Sequence, residues 1–211
     1  MNTIFDKIIF IHCEHRKDRF ENIQKFIKKF NLTNYHILNA TYLPDNGAKG
    51  CSHSHYRAMQ YAIENNFNNV LILEDDYFIN QEETIINKKL NDIFTLEEWD
   101  IIMLTWFLNA PEKRSSHFNS NLRKITHKKY GGATTAAYAV NKNMFSILKN
   151  KFLESYNLFT DKYIHELHRQ YACDNVWLPI QHKYNWYICY PKIGEQENKL
   201  YSDISINRFN S

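Results

Sequence analysis

Val70-Leu71-Ile72-Leu73-Glu74-Asp75-Asp76 is the stretch that decides how this chain reads. An unbroken apolar run rich in β-branched residues marks a strand buried on both faces. Such a strand belongs in a sheet covered by helices, the α/β arrangement. The run ends directly in acids. In open α/β sheets ligands bind beyond the carboxyl ends of the strands. Carboxylates crowded at such an end repel one another in a partly dry cleft, and a divalent cation, which takes oxygen ligands, removes that cost. Extended backbone alternates its side chains, so Glu74 and Asp76 are expected on one side and Asp75 on the other. The plainer alternative is a strand end with solvated acids, one of them capping a helix.

Working outward, the same alternation of elements repeats. Lys7–His12 carries a second unbroken apolar run, Ile8 to Ile11, and further strands are expected at Tyr35–Leu38, Asp100–Trp106, Thr135–Val140 and Trp186–Tyr190. Between them, Phe20, Ile23, Ile27 and Phe30 fall at helical spacing behind Asp18, a capping residue type. Helices are also expected at Ser52–Asn65, Gln81–Phe94, Lys142–Leu153 and Lys162–Tyr171. Asn109–Tyr130 reads as a long polar loop that orders around a ligand. No repeat or shift in composition divides the chain. The expectation is a single α/β domain over 1–211 with a mostly parallel sheet.

Composition removes several function classes. With 211 residues, 44% hydrophobic and 23% charged, the chain is neither disordered, coiled-coil nor collagen-like. A net charge of +3, with lysines and arginines scattered, gives no basic face for nucleic acid. The densest basic run, Arg123–Lys129, reads as a solvated face. Cys13, Cys51, Cys173 and Cys189 show no C-x-x-C spacing, which suits reduced thiols in a cytosolic setting. No signal-peptide pattern or membrane-length apolar run is visible. The expected location is cytoplasmic (host cytoplasm for a viral chain) or peripheral to a membrane. Abundant Asn, Lys and Ile suit an AT-rich bacterial or viral genome.

Two further stretches carry candidate chemistry. Gly50-Cys51-Ser52-His53-Ser54-His55 reads as a Gly-led loop entering a helix, whose free N–H groups and dipole favour an anion. His53-x-His55 has metal-ligand spacing, but no second cluster in the sequence supports zinc. Cys13-Glu14-His15-Arg16-Lys17-Asp18-Arg19 is a basic loop after the first strand, suited to a nucleotide or diphosphate. There is no G-x-G-x-x-G, no Walker motif and no Gly-x-Ser-x-Gly elbow.

Together these stretches resemble glycosyltransferase family 25, the lipooligosaccharide and collagen β-galactosyltransferases. The family's opening strand, loop and Asp-Arg helix stand as Ile11–Arg19, with His12 where the family has Asn. Its Gly-Cys-x-x-Ser-His stands as Gly50–His55, and its apolar strand with Glu-Asp-Asp as Val70–Asp76. Its Trp-Asp-x-x-x-Leu stands as Trp99–Leu104, and a Gly-rich segment ending in Ala-Tyr as Gly131–Tyr138. Its carboxyl-terminal Asp, Pro, Gln and Ser-Asp stand as Asp174, Pro191, Gln196 and Ser202-Asp203.

The resemblance implies a GT-A-like fold and a metal-dependent, inverting transfer of a hexose, galactose from UDP-galactose first, onto a hydroxyl of a glycan, lipooligosaccharide or hydroxylated protein. It implies Mn²⁺ or Mg²⁺ held by Asp76 and Glu74, with Asp174 as the general base. His12, Arg16, Arg19, Ser54, His55, Asp75, Gln196 and Asp203 are implied on the donor side, Asp75 as a ribose contact. Asp161, Glu166, Asp100 and Asp203 are the substitutes for the base. The rival classes are a metal-dependent phosphoester or nucleotide hydrolase and a non-catalytic sugar-binding module.

Overall fold

The structure, a computed structural model, describes residues 1–197; Ser202 and Asp203 lie outside them. The chain runs β1 (Lys7–His12), α1 (Lys17–Lys29), β2 (Tyr35–Asn39), α2 (Gly47–Glu64), β3 (Asn69–Glu74), β4 (Tyr77–Phe78), α3 (Glu83–Ile93) and β5 (Ile101–Met103). It continues through α4 (Pro111–Arg114), β6 (Ser115–His117), β7 (Leu122–Ile125), β8 (Ala137–Asn141) and α5 (Lys142–Leu158). It ends in α6 (His165–Tyr171), α7 (Cys173–Val176), α8 (Leu178–Gln181), β9 (Trp186–Cys189) and β10 (Glu195–Gln196).

Eight strands form one sheet in the order β2-β1-β3-β8-β5-β9-β7-β6. The pairs β1–β2, β1–β3 and β5–β9 are parallel, whereas β8 and β7 are antiparallel to both of their neighbours. Six strands therefore point one way and two the other. This is the α/β class with a mostly parallel central sheet that the sequence predicts. After β1 the chain crosses to β2 on one side, then returns to β3 on the other. The carboxyl ends of β1 and β3 thus flank a topological switch point, where open α/β sheets bind ligands.

Period-two alternation splits the apolar strands between two cores. Ile8, Phe10, Leu71 and Leu73 face α1 and α3, meeting Ile23, Phe26, Ile86 and Leu90. Ile9, Ile11, Val70 and Ile72 face α2 and α5, meeting Met59, Ala62, Leu148 and Phe152. The strand residues on both faces are almost wholly buried. That accounts for the unbroken apolar runs, because no face is left for polar residues.

Three expectations are corrected. The segment 109–130 is not a loop: it holds α4 and the hairpin β6–β7, and β7 pairs with β9, so the hairpin completes the sheet edge. Arg123 and Lys124 of the expected solvated run lie on β7, where Arg123 Nε donates to Ser115 Oγ at 2.9 Å and Lys124 Nζ to Asn185 Oδ1 at 2.6 Å. Polar strand residues at a sheet edge carry no apolar periodicity, which hid the hairpin. The buried stripe of α1 runs through Arg19, Ile23 and Phe26, while Phe20 is exposed. Arg19 therefore points inward, not into solvent.

Candidate active site

β3 ends at Glu74, and Asp75–Asp76 form a tight turn into β4. The extended alternation expected through Asp76 stops one residue after the strand, yet the side chains still part company. Asp75 turns toward the β1–α1 loop. Its Oδ1 accepts from Arg19 at 2.8 Å, and its Oδ2 lies 2.9 Å from His12 Nδ1 and 3.2 Å from the backbone N of Cys13. Burial works to raise the carboxyl's pKa, but the His12 hydrogen bond and the Arg19 charge hold it below the ordinary value. Three of about four acceptor positions on Asp75 are taken by protein donors.

All three acids border a cavity of about 120 Å³ that Arg19, Ser54, His55 and Gln196 also line, and what sets Glu74 and Asp76 apart from Asp75 is their hydrogen-bond partners. Glu74 Oε1 lies 3.0 Å from His55 Nε2 and accepts from Thr135 Oγ1 at 2.6 Å. Asp76 has only distant partners, Arg19 Nη1 at 3.4 Å and Gln196 Nε2 at 3.5 Å. Burial first, then the charge of Glu74, pushes its carboxyl up to about 7. Gln196 reaches Asp76 because β10 pairs with β4. Gly194 makes that return possible: its φ is +83°, and a Cβ there would stand 2.5 Å from the Phe78 carbonyl oxygen.

The Gly50–His55 motif is placed differently from expectation. Gly50 lies inside α2, not in a loop before it, and its N–H donates to the Asn46 carbonyl at 3.2 Å. Asn46 caps the helix, accepting from the Lys49 N–H at 3.1 Å. The amino end of α2 is at Gly47, which also lines the cavity. Gly50 is required by packing: a Cβ would meet the Thr41 carbonyl oxygen at 2.4 Å. Ser54 Oγ donates to the Gly50 carbonyl at 2.8 Å and accepts from the Thr41 N–H at 2.8 Å, so it pins the loop 40–46 over the cavity. His55 is fully buried, its Nδ1 2.8 Å from the Tyr138 hydroxyl. His53 bonds Thr41 Oγ1 at 2.7 Å, so the metal-ligand spacing of His53-x-His55 does not bring the two imidazoles to a shared site. At the amino end of α1, Arg16 pairs with Asp18 at 2.7 Å.

Asp174, half-buried at the start of α7, lines an adjoining cavity of about 230 Å³ that shares Cys51, Glu74 and Gln196 with the first. Its Oδ2 accepts from the Thr134 N–H at 3.0 Å, and the Thr134 hydroxyl donates to Gln196 Oε1 at 2.8 Å. Burial raises its carboxyl's pKa, with the Thr134 N–H opposing and Glu74 adding to the rise. Thr134 has φ +75°, a strained conformation for a β-branched residue. Strain of this sort marks a position over-determined by its surroundings, and here it joins Asp174, Gln196 and Asp76 into one chain of contacts. The alternative bases sit elsewhere. Asp100 precedes β5 at the opposite end of the strand and bonds Asn143 and the Asn185 N–H. Asp161 is exposed and paired with Lys49 at 2.6 Å, and Glu166 is exposed on α6.

Sequence reasoning missed Thr134, Thr135, Cys51, Cys173 and Tyr138 as parts of this site. Only the Gly131-Gly132 pair upstream of the threonines hinted at irregular backbone there. The cysteines lie far apart in sequence, and only folding brings them to His55.

The sequence matches the family described as "Glycosyltransferase family 25 (LPS biosynthesis protein)" over residues 10–164. No curated protein matches the chain. Among solved structures, it is similar to a glycosyltransferase involved in glycosylation of the major capsid of PBCV-1, at 14% identity and TM-score 0.49, covering 78% of this chain and 73% of that one. It is also similar to the galactosyltransferase LgtC in complex with donor and acceptor sugar analogs, at 11% identity and TM-score 0.46, covering 86% and 72%. Among the described residues, no helix is long and apolar enough to cross a membrane. Carrying the Gly-Cys-x-x-Ser-His helix and the Glu-Asp-Asp turn at the switch point of an α/β sheet, and matched by the family over most of its length, the chain belongs to glycosyltransferase family 25.

Proposed function

We propose that the chain is a single glycosyltransferase domain that moves a hexose, galactose from UDP-galactose first, onto a hydroxyl of a glycan, lipooligosaccharide or hydroxylated protein, with inversion. One observation carries this reading: Glu74 and the loosely partnered Asp76 open on a cavity that adjoins the one holding Asp174. Hard carboxylate oxygens brought together in a buried cleft suit Mn²⁺ or Mg²⁺. Arg19 stands 3.4 Å from Asp76, which leaves its carboxylate room for a cation supplied from outside. Glu74 and Asp76 would hold the ion, and when bound it supplies Lewis-acid stabilisation of the departing nucleoside diphosphate.

The chain's own residues do the rest. Arg19 and the amino end of α2 at Gly47 turn positive potential toward the donor's phosphates. Gln196 crosses from Asp76 to Thr134 and closes the cleft between donor and base. Asp174 takes the proton from the acceptor hydroxyl as the new bond forms at the anomeric carbon; burial moves its pKa toward the working pH, where a base is most effective. His12 and His55 act through Asp75 and Glu74, as positioning residues. Asp75, offered by the family resemblance as a ribose contact, is better read as scaffolding, since protein donors already occupy it.

Incubation with a panel of UDP-sugars and Mn²⁺ tests the reading. Slow, donor-specific release of UDP is expected. Phosphate release without sugar preference would indicate a hydrolase, and binding without turnover against a broad acceptor set would indicate a sugar-binding module. Either outcome overturns the proposal.

A further inference from the structure

Behind the acidic cleft lies a second group of ligand-bearing side chains with different chemistry. Cys51 and His55 are one turn apart on α2 and share a face. α7 brings Cys173 against them from 122 residues away, with the two Sγ atoms 3.5 Å apart. Ligand atoms of Cys51, His55 and Cys173 all fall within 4.8 Å of one another. Zinc held tetrahedrally, with Zn–S about 2.3 Å and Zn–N about 2.0 Å, places its ligand atoms roughly 3.4–3.8 Å apart. The sulfurs already meet that spacing, and the imidazole needs only a small approach.

We infer that Cys51, His55 and Cys173 form a site for one thiophilic divalent cation of the Zn²⁺ type, with Glu74, which lies beside His55 but outside that three-residue cluster, moving in as the fourth ligand. Thiolate and imidazole donors select such an ion over the hard cations that carboxylates prefer. The surroundings resemble an outer shell. Glu74 Oε1 is 3.0 Å from His55 Nε2 and Tyr138 Oη is 2.8 Å from Nδ1, so with Nε2 ligating on the Glu74 side, Tyr138 orients the ring. The Thr135 hydroxyl lies 3.5 Å from Cys173 Sγ and 2.6 Å from Glu74 Oε1, tying a sulfur to the fourth ligand. Phe152 and Tyr138 pack against the imidazole and exclude water. On binding, two S–H bonds break, two metal–sulfur bonds form, and two protons leave to solvent with no change of oxidation state.

Glu74 belongs to both sites, so an ion at the sulfur site draws away a ligand of the oxygen site. Zn²⁺ should therefore antagonise Mn²⁺-supported turnover. That consequence rests on the proposed function; the site itself does not. Its test uses the full chain, reduced and stripped of metal, with no donor present. Titration with Zn²⁺ should give one ion per chain, and Co²⁺ should give thiolate-to-metal charge transfer together with tetrahedral d–d bands. Cys51→Ser or Cys173→Ser should abolish the charge-transfer band, Cys13→Ser should leave it, and Thr135→Val should weaken Zn²⁺ binding about 10–100-fold. Should the serine variants fold poorly, alkylation of the native chain followed by mass spectrometry serves instead: Zn²⁺ should protect Cys51 and Cys173 but not Cys13. No thiolate band, a band that survives both serine variants, or equal alkylation with and without Zn²⁺ overturns the site. So does finding that the pair yields only a Cys51–Cys173 disulfide in air and binds no metal when reduced. Turnover plays no part in these readouts, so failure of the transferase reading would be seen separately, in the UDP-sugar panel.

Discussion

Asp75 and Asp76 are adjacent in the chain and occupy opposite electrostatic worlds. Asp75 faces the β1–α1 loop, where His12, Cys13 and Arg19 supply it with donors at 3.2 Å or less. Asp76 faces the cleft, where among the described residues its carboxylate has no partner closer than 3.4 Å and Glu74 is a repulsive neighbour. A saturated buried carboxylate holds structure together; an under-partnered one is costly unless something else binds it. The acid run therefore divides into a closed side that positions β1, α1 and β3, and an open side that includes Glu74, Asp76 and, across Gln196, Asp174.

Four experiments bear on that division. On the open side, Asp174→Asn should lower transfer by about 10²–10⁴-fold with donor affinity nearly unchanged, because the amide keeps the Thr134 contact but accepts no proton. Near-normal turnover in steady-state kinetics would remove Asp174 from the chemistry. On the closed side, Asp75→Ala should cost about 3–5 kcal/mol in urea unfolding, since it removes the buried carboxylate that accepts from Arg19, His12 and the Cys13 N–H. A loss below about 1 kcal/mol would erase the distinction between the two sides. Asp76→Ala should unfold no more easily than the native chain without metal, yet lose the stabilisation that UDP with Mn²⁺ confers. That stabilisation is about 2.7 kcal/mol when ligand stands at a hundred times its dissociation constant. An unchanged thermal shift would sink the assignment of Asp76 to the cation.

The smallest effect concerns Arg16–Asp18, an exposed copy of the Arg19–Asp75 pairing. The Arg16 hydrogen bond, against a small burial effect, lowers the Asp18 carboxyl to about 2. A depressed carboxyl contributes stability above its unfolded value of about 3.9 and loses it as pH falls through about 2. Because the pair is solvated, Asp18→Asn should cost well under about 1 kcal/mol at pH 7, with the difference vanishing near pH 2. A penalty comparable with that of Asp75→Ala would show that burial is not what separates the two pairs.

How much of this was legible varies by residue. Glu74, Asp75 and Asp76 announced themselves, because acids directly after a buried strand have few structural explanations. Arg19 was legible as a residue but not as a buried one: apolar spacing assigned the inner face of α1 to Phe20, and only the waiting Asp75 turned the helix. The β6–β7 hairpin was invisible, since most of its residues are polar, its buried Leu122 and Ile125 do not alternate at strand spacing, and its apolar partner, β9, lies over sixty positions away. Gly50 was read as a loop signal because Gly usually is one; here the close approach of the Thr41 carbonyl, which no local pattern records, requires it.

By itself the sequence determined the α/β class, the two-faced burial of β1 and β3, the acids at the switch point and the family. These follow from local properties: unbroken apolar runs, helical periodicity, and residue types whose chemistry is the same wherever they stand. The tertiary structure alone decided which acid is tied down and which is open, that α2 begins at Gly47 ahead of Gly50, and that Cys51, His55 and Cys173 meet. Those outcomes depend on what each side chain finds across the fold. Hydrogen bonds and repulsion act over a few ångströms of space, and separation along the chain does not record them.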